Sequence, residues 1–178
     1  MQSYNIDKIL TSQSGIKIVE GGSSMKVEHD LFTRVLSLLS LFLIIGTTIA
    51  LIVLWKRIPE EIPMHYNALG EIDRYDHKSG LIMIQFFSWL SYGSVVLAER
   101  IPQLWNTGVS VTNENQDAVY RTVKHLIVVT KFLVVLTFSW INLMAMISHP
   151  LGSWFMPVDL KLIFGSFIWS IVKLHRLQ

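Results

Sequence analysis

Long apolar runs alternate with short polar segments along this chain. Val35 to Trp55 contains no charged residue; at about 1.5 Å per helical residue it reaches about 30 Å, the thickness of the hydrocarbon core of a bilayer. Leu81 to Ala98 is also uncharged, and Leu126 to Ile147 contains one charge, Lys131. The pattern therefore predicts membrane-spanning helices near residues 35–55, 81–98 and 126–147.

Polar residues in and beside the third span refine this prediction. Thr112 is expected to cap the helix, which would begin in water with acidic residues in its first turn. Lys131 lies close to the polar boundary, so its ammonium is expected to extend back to the interface. Asn142 lies deeper and is expected to form a hydrogen bond between helices, which contributes about 1 kcal/mol.

The last apolar segment runs from Trp154 to Val172 and is interrupted by Asp159 and Lys161. We predict a fourth span near residues 154–173, with Asp159 near the outer interface. Its uninterrupted part is short for a full crossing, so an interfacial helix is the alternative.

Composition supports membrane residence. Apolar residues make up 51% and charged residues 16% of the chain, against about 25% charged residues in soluble domains. Cysteine is absent, which excludes disulfides and thiolate metal sites. No basic stripe suits nucleic acid. The predicted fold is all-α with four transmembrane helices, and the expected partner is the lipid bilayer rather than nucleic acid.

The chain divides into a polar tail, residues 1–30, and a membrane domain, residues 31–178. The tail is Gly/Ser-rich and is expected to be disordered and cytoplasmic. A sharper hypothesis is that residues 1–24 are not translated. Glu20-Gly21-Gly22 can be encoded by a purine-rich stretch that resembles a ribosome-binding site, and Met25 follows at a suitable spacing.

Orientation is predicted from lysine and arginine counts. The tail, the second polar segment and the C-terminus carry nine of these residues, whereas the segment from Lys56 to Gly80 and the turn after the third span carry four. The positive-inside rule then places both termini in the cytoplasm and residues 58–80 outside.

Residues 58–80 form the most distinctive polar segment. Two prolines stiffen its start. Ile62, Met64 and Tyr66 alternate with polar neighbours, which is typical of a short strand. Asn67 to Gly70 is predicted to be a turn, in which Gly70 can adopt a positive φ.

This segment resembles a known family. From Ile62 to Lys78 it reads Ile-Pro-Met-His-Tyr-Asn-x-x-Gly-x-x-Asp-Arg-Tyr-x-x-Lys, similar to a bacterial membrane domain of unknown function that forms the first half of the Sdp-type bacteriocin immunity proteins. Trp105-Asn106, Thr112-x-Glu114-Asn115 and Tyr120-Arg121 resemble that family's next loop. The resemblance implies a multi-pass protein of the bacterial cell membrane with the motif outside. It also implies immunity against a secreted peptide toxin and signalling through a cytoplasmic regulator.

The leading functional hypothesis is therefore immunity to, or sensing of, an extracellular peptide toxin through residues 58–80. The alternative is a small transporter or accessory membrane subunit in which this segment is structural. No nucleophile–base pair, phosphate loop or metalloprotease helix is present, so we expect neither an enzyme nor a cofactor. The candidate recognition residues are His65, Tyr66, Asn67, Gly70, Asp73, Arg74, Tyr75 and Lys78. Among them, Tyr66, Arg74, Tyr75 and Lys78 could bind either a peptide or a lipid headgroup.

Two other roles for these residues remain open. In the structural hypothesis, His65 and Asn67 hydrogen-bond the turn backbone while Asp73 pairs with Arg74 or Lys78. In the metal hypothesis, two imidazoles and a carboxylate hold zinc, with water completing the shell. The donors for that site would come from Glu60, Glu61, His65, Asp73, Asp76 and His77.

Overall fold

The computed structural model describes residues 16–17, 26–27 and 30–178. Within these residues the fold is mainly helical, and four helices are long and apolar enough to cross a membrane, as predicted. In chain order, the elements are β1 (Ile16–Lys17), β2 (Lys26–Val27), α1 (Leu31–Leu54), β3 (Glu61–Tyr66), β4 (Ile72–His77), α2 (Gly80–Glu99), a short 3₁₀ turn (Pro102–Leu104), α3 (Gln116–Met146) and α4 (Phe155–His175).

Helix α3 is the centre of the bundle. It packs against α1, α2 and α4, whereas α1 and α2 touch each other little. Large apolar side chains cover the outer surfaces of the surrounding helices, among them Phe42, Ile52 and Phe164. Such surfaces are unfavourable in water and suit the hydrocarbon of a bilayer.

The start of α1 follows from local capping. Asp30 precedes α1 and accepts a 2.8 Å hydrogen bond from the backbone N–H of Thr33, which satisfies one free donor of the first turn. The prediction that Thr112 caps α3 is wrong, because Asn115 is the residue before the first helical turn. Thr112 instead shapes the preceding turn: its N–H donates to Asn115 Oδ1 at 2.8 Å.

Polar side chains connect the helices inside the apolar layer. Asn142 Nδ2 donates to Gln85 Oε1 at 2.8 Å, which confirms the predicted hydrogen bond between helices. Gln85 Nε2 and Trp89 Nε1 both donate to Thr48 Oγ1, at 2.9 and 3.0 Å. This network ties α1, α2 and α3 together where apolar packing alone gives little specificity.

Lys131 is buried between the helices. Its side chain is 2% exposed, and its Nζ lies 2.6 Å from Oε1 of Glu99, the last residue of α2. Ser37 Oγ lies 3.0 Å from the same ammonium. The carboxylate at the end of α2 provides a closer partner than solvent, so the charge is neutralised inside the bundle.

The segment between α1 and α2 is an antiparallel β-hairpin of β3 and β4 rather than an irregular loop. The strand predicted from Ile62, Met64 and Tyr66 is β3, and the predicted turn lies between the strands. Strand β4 was not predicted, because its residues are polar on both faces. The hairpin lies at the end of the bundle where α3 turns into α4.

The remaining predictions concern the two ends of the chain. The predicted fourth span corresponds to α4, in which Asp159 Oδ1 accepts a 2.6 Å hydrogen bond from Thr137 of α3. The expected disorder of residues 1–30 and the start at Met25 fall mostly outside the described residues, which include only the paired strands β1 and β2 before Asp30.

Candidate functional site

The hairpin is anchored on the bundle by an apolar cluster. Ile62 of β3 is fully buried, and Pro63 beside it is among the most buried side chains. Strand β3 is therefore buried on both faces at Ile62 and Pro63, and its exposure is greater from Met64 onward. The buried members of the cluster are Leu51, Ile58, Ile62, Leu81, Ala145 and Met146.

Lys78 closes the base of the hairpin. Its side chain is 10% exposed, and its Nζ lies 2.8 Å from Glu60 Oε1. The same ammonium lies 3.4 and 3.5 Å from the carbonyl oxygens of Ile58 and Trp55, just past the end of α1, where a cation is favourable. The hydrogen bond from Lys78 also lowers the pKa of the Glu60 carboxyl. Lys78 therefore lies on the anchoring side of the hairpin.

Asn67 organises the turn. Its Oδ1 accepts hydrogen bonds from the backbone N–H groups of Leu69, at 2.9 Å, and Glu71, at 3.0 Å. Its Nδ2 donates to the Glu71 carboxylate at 2.9 Å. This arrangement confirms the structural hypothesis for Asn67, in which the side chain replaces backbone bonds that the turn lacks.

Gly70 is the point of closest approach between the hairpin and the α3–α4 turn. Its φ is +72°, and an added Cβ would lie 2.5 Å from the carbonyl oxygen of Gly152. The Gly70 carbonyl accepts a 2.9 Å hydrogen bond from the N–H of Leu151. Glycine is needed here for two reasons, the backbone conformation and the space.

Strand β4 is open to solvent from Asp73 to His77. Arg74 is exposed, and Tyr75, a large aromatic, is 54% exposed. His65 Nδ1 lies 2.6 Å from Asp73 Oδ1 across the strands, and both side chains are exposed. The structural hypothesis was wrong on this pair, because His65 bonds a carboxylate rather than the turn backbone, and the partner of Asp73 is His65.

Tyr66 is the last residue of β3. The phenol hydroxyl is buried and has no hydrogen-bond partner among the described residues. Burial, with a smaller contribution from nearby Tyr75, raises the pKa of Tyr66 to about 12. Tyr66 thus stays neutral across the physiological range, as an uncharged donor.

The exposed surface of the hairpin is acidic. This property could have been predicted, because residues 58–80 contain more carboxylates than cations. Since Lys78 is buried, Arg74 is the remaining lysine or arginine of this segment that is exposed beside the carboxylates. The exposed carboxylates belong to Glu60, Glu61, Glu71, Asp73 and Asp76.

The candidate metal ligands do not converge. Among residues 30–178, no group of three or more histidine, aspartate or glutamate side chains could hold a metal ion. The hairpin instead has two separate pairs, His65 with Asp73 and His77 with Glu60, the latter joined at 3.3 Å between Nε2 and Oε2. These pairs do not support the metal hypothesis.

The fold defines the class: a multi-pass membrane protein with four candidate spans and a docked polar hairpin between the first two. Residues 42–88 match a family model described as a domain of unknown function, DUF1648. This domain covers the second half of α1, the whole hairpin and the start of α2. Comparison with curated proteins and with solved structures found no match.

Proposed function

We propose that the chain recognises an extracellular cationic peptide at the exposed strand β4 of the hairpin, and that this recognition serves immunity or sensing in a bacterial cell membrane. The observation that carries the proposal is the contrast between the anchored part of the hairpin and this exposed strand. The anchored part is fixed to the bundle by Ile62, Gly70 and Lys78. The exposed strand presents Arg74, Tyr75 and carboxylates to solvent.

A rigid, exposed strand pair is a suitable recognition surface. Because Gly70 and Lys78 fix the hairpin at its turn and its base, little ordering entropy is lost when a ligand binds. An exposed tyrosine beside an arginine provides the residue types that dominate binding energies at interfaces. Both lie on β4, where Asp73 and Asp76 flank them.

The charge of this surface indicates the charge of the ligand. Carboxylates outnumber exposed cations on the hairpin, so a cationic partner would be attracted and an anionic lipid headgroup repelled. Hydrogen bonds to Lys78, His65 and Asn67 hold three of the carboxylates in fixed positions, at Glu60, Asp73 and Glu71 respectively. This argument favours peptide recognition over headgroup recognition.

Tolerance to secreted peptide toxins tests the proposal. Expression of the chain in a sensitive bacterium should raise tolerance to a cationic peptide from a panel that also contains neutral and anionic toxins. Tyr75→Ala and Asp73→Asn should remove that tolerance at unchanged membrane levels. The control Glu114→Gln, exposed at the other end of the bundle, should retain it. Full tolerance in both hairpin variants would contradict the proposal.

The orientation that this function requires is testable because the chain has no cysteine. With the termini in the cytoplasm, a Tyr75→Cys variant should react with a membrane-impermeant maleimide in intact cells. A Leu104→Cys variant, 77% exposed in the wild-type residue, should react only after permeabilisation. The reverse pattern would place the hairpin inside the cell and remove extracellular recognition.

A small transporter or accessory membrane subunit is the second candidate. The polar groups buried between the helices favour it, namely the contact of Asn142 with Gln85 and the ion pair of Lys131 with Glu99. Intramembrane polar groups often mark substrate paths. In that case Asn142→Leu should abolish function while Tyr75→Ala leaves it unchanged, the opposite of the result expected for peptide recognition.

A further inference from the structure

An apolar groove lies at the end of the bundle opposite the hairpin. It runs between α3 and α4, with the start of α1 as a third wall, and encloses about 360 Å³. Four of its eight lining side chains are aromatic or aliphatic, and all eight belong to candidate membrane spans. The apolar lining includes Phe32, Leu126, Val129 and Trp169.

A lysine lies at one end of this groove. Lys173, in the last turn of α4, has its Nζ 4.8 Å from the ring centroid of Trp169. The tryptophan supports the ammonium by a cation–π contact without neutralising its charge. His125 of α3 also lines the groove, and its Nε2 lies 2.6 Å from Asp30 Oδ2. An apolar channel that ends in a lysine with no carboxylate partner among residues 30–178 matches the shape of an amphiphile.

The surrounding charges favour an anion. Among residues 30–178, the polar segments at this end of the bundle carry more cations than carboxylates, the reverse of the hairpin. Basic sites between helices at such a boundary attract anionic headgroups, with a contribution from each nearby cation. The basic residues are Arg34, Arg100, Arg121, Lys124, Lys173 and Arg176, and the acidic residues are Asp30, Glu99, Glu114 and Asp117.

We propose that this groove binds a phospholipid with an anionic headgroup. The headgroup phosphate lies against Lys173, and an acyl chain follows Leu126 and Val129 between α3 and α4. A zwitterionic lipid would place its own ammonium beside this cation and is therefore disfavoured. The polar residues 1–29 are the competing occupant, and the experiment below separates the two.

Native mass spectrometry of the full chain in detergent tests the proposal. Phosphatidylglycerol and phosphatidylcholine with identical acyl chains are added separately, and lipid-bound fractions are compared. Wild type should retain phosphatidylglycerol preferentially. Lys173→Gln should weaken its binding by about fivefold. Lys161→Gln, an exposed lysine near the other end of the same helix, should leave binding unchanged.

Two further arms keep the result interpretable. Val129→Trp should fill the groove and reduce binding of the acyl chain, while inorganic phosphate should not displace the lipid. Equal binding of both lipids, or equal loss in the Lys173 and Lys161 variants, would overturn the proposal. Preferential phosphatidylglycerol binding that appears only after residues 1–24 are deleted would assign the groove to the N-terminal segment instead.

Discussion

Replacement of Gly70 by alanine should release the hairpin from the bundle. The added Cβ would lie 2.5 Å from the Gly152 carbonyl oxygen and 2.9 Å from its carbonyl carbon. Both of these atoms are backbone, so no side-chain rotation can relieve the contact. Gly108 provides a matched control, because its φ of +67° is close to that of Gly70 and an added Cβ would meet nothing within 4 Å.

The two variants share one energetic cost and differ in the other. An alanine at positive φ costs about 1 kcal/mol at either site. At Gly70 the backbones must also separate by roughly 1 Å, which breaks the hydrogen bond from Leu151 and disturbs the packing of the turn, for about 2 kcal/mol more. The expected free-energy change is thus about 3 kcal/mol for Gly70→Ala and about 1 kcal/mol for Gly108→Ala.

A cysteine reporter measures this difference directly. Leu151 is 4% exposed, so a Leu151→Cys thiol should react slowly with a maleimide in the purified protein. If Gly70→Ala weakens the docking of the hairpin on the α3–α4 turn by about 2 kcal/mol, it should accelerate labelling by up to about 30-fold. Gly108→Ala should leave the rate unchanged. Equal labelling rates in the two glycine variants would refute the reasoning.

Three further predictions follow from buried or shifted charges. Lys131→Met should lower the free energy of unfolding by about 3 kcal/mol, measured by thermal unfolding in detergent, because it leaves the Glu99 carboxylate buried without its partner. Lys131→Met combined with Glu99→Gln should recover most of that loss. A double variant as unstable as the single variant would contradict the ion pair. Subtracting the alkaline spectrophotometric titration of Tyr66→Phe from wild type should reveal a phenol with a pKa near 12, and Tyr75→Phe should lower that pKa. The folded state disfavours ionisation of Tyr66. The contribution of the neutral phenol to the free energy of unfolding is therefore complete below pH 10 and is lost as the pH rises toward 12. Asp30→Ala should cost about 1 kcal/mol by removing the cap of α1, while Asp30→Asn retains the cap; equal losses would assign the effect to charge.

The helices were predictable from the sequence because membrane helices satisfy their backbone hydrogen bonds locally and expose apolar side chains over a length set by the bilayer. The span predicted from Val35 to Trp55 corresponds to α1, although Asp30, outside the apolar run, sets where the helix begins. Helix α3 begins well before its apolar part, at Gln116, since its first turns are polar. Hydropathy therefore located the spans but not the residues at which the helices begin.

Strand β4 and the direction of Lys78 could not be predicted in the same way. Periodicity identifies a strand when one face is apolar, but Asp73 to His77 is polar on both faces. The ammonium of Lys78 is directed inward by the carbonyls of Trp55 and Ile58, which lie more than one element earlier in the chain. The partner of Lys131 could not be predicted for the same reason, because Glu99 lies on another helix. Such contacts depend on the tertiary arrangement.

The motif that carries the family resemblance therefore contains two kinds of residue. Asn67 forms the turn, Gly70 allows the approach to the α3–α4 turn, and Lys78 closes the base. These contacts explain the residue types at the three positions without any ligand. Among residues 30–178, Arg74 and Tyr75 have no comparable contact within the bundle, and both face solvent. The motif as a whole thus indicates a docked hairpin, and the identity of a ligand must be sought in the exposed residues of β4 and the carboxylates around them.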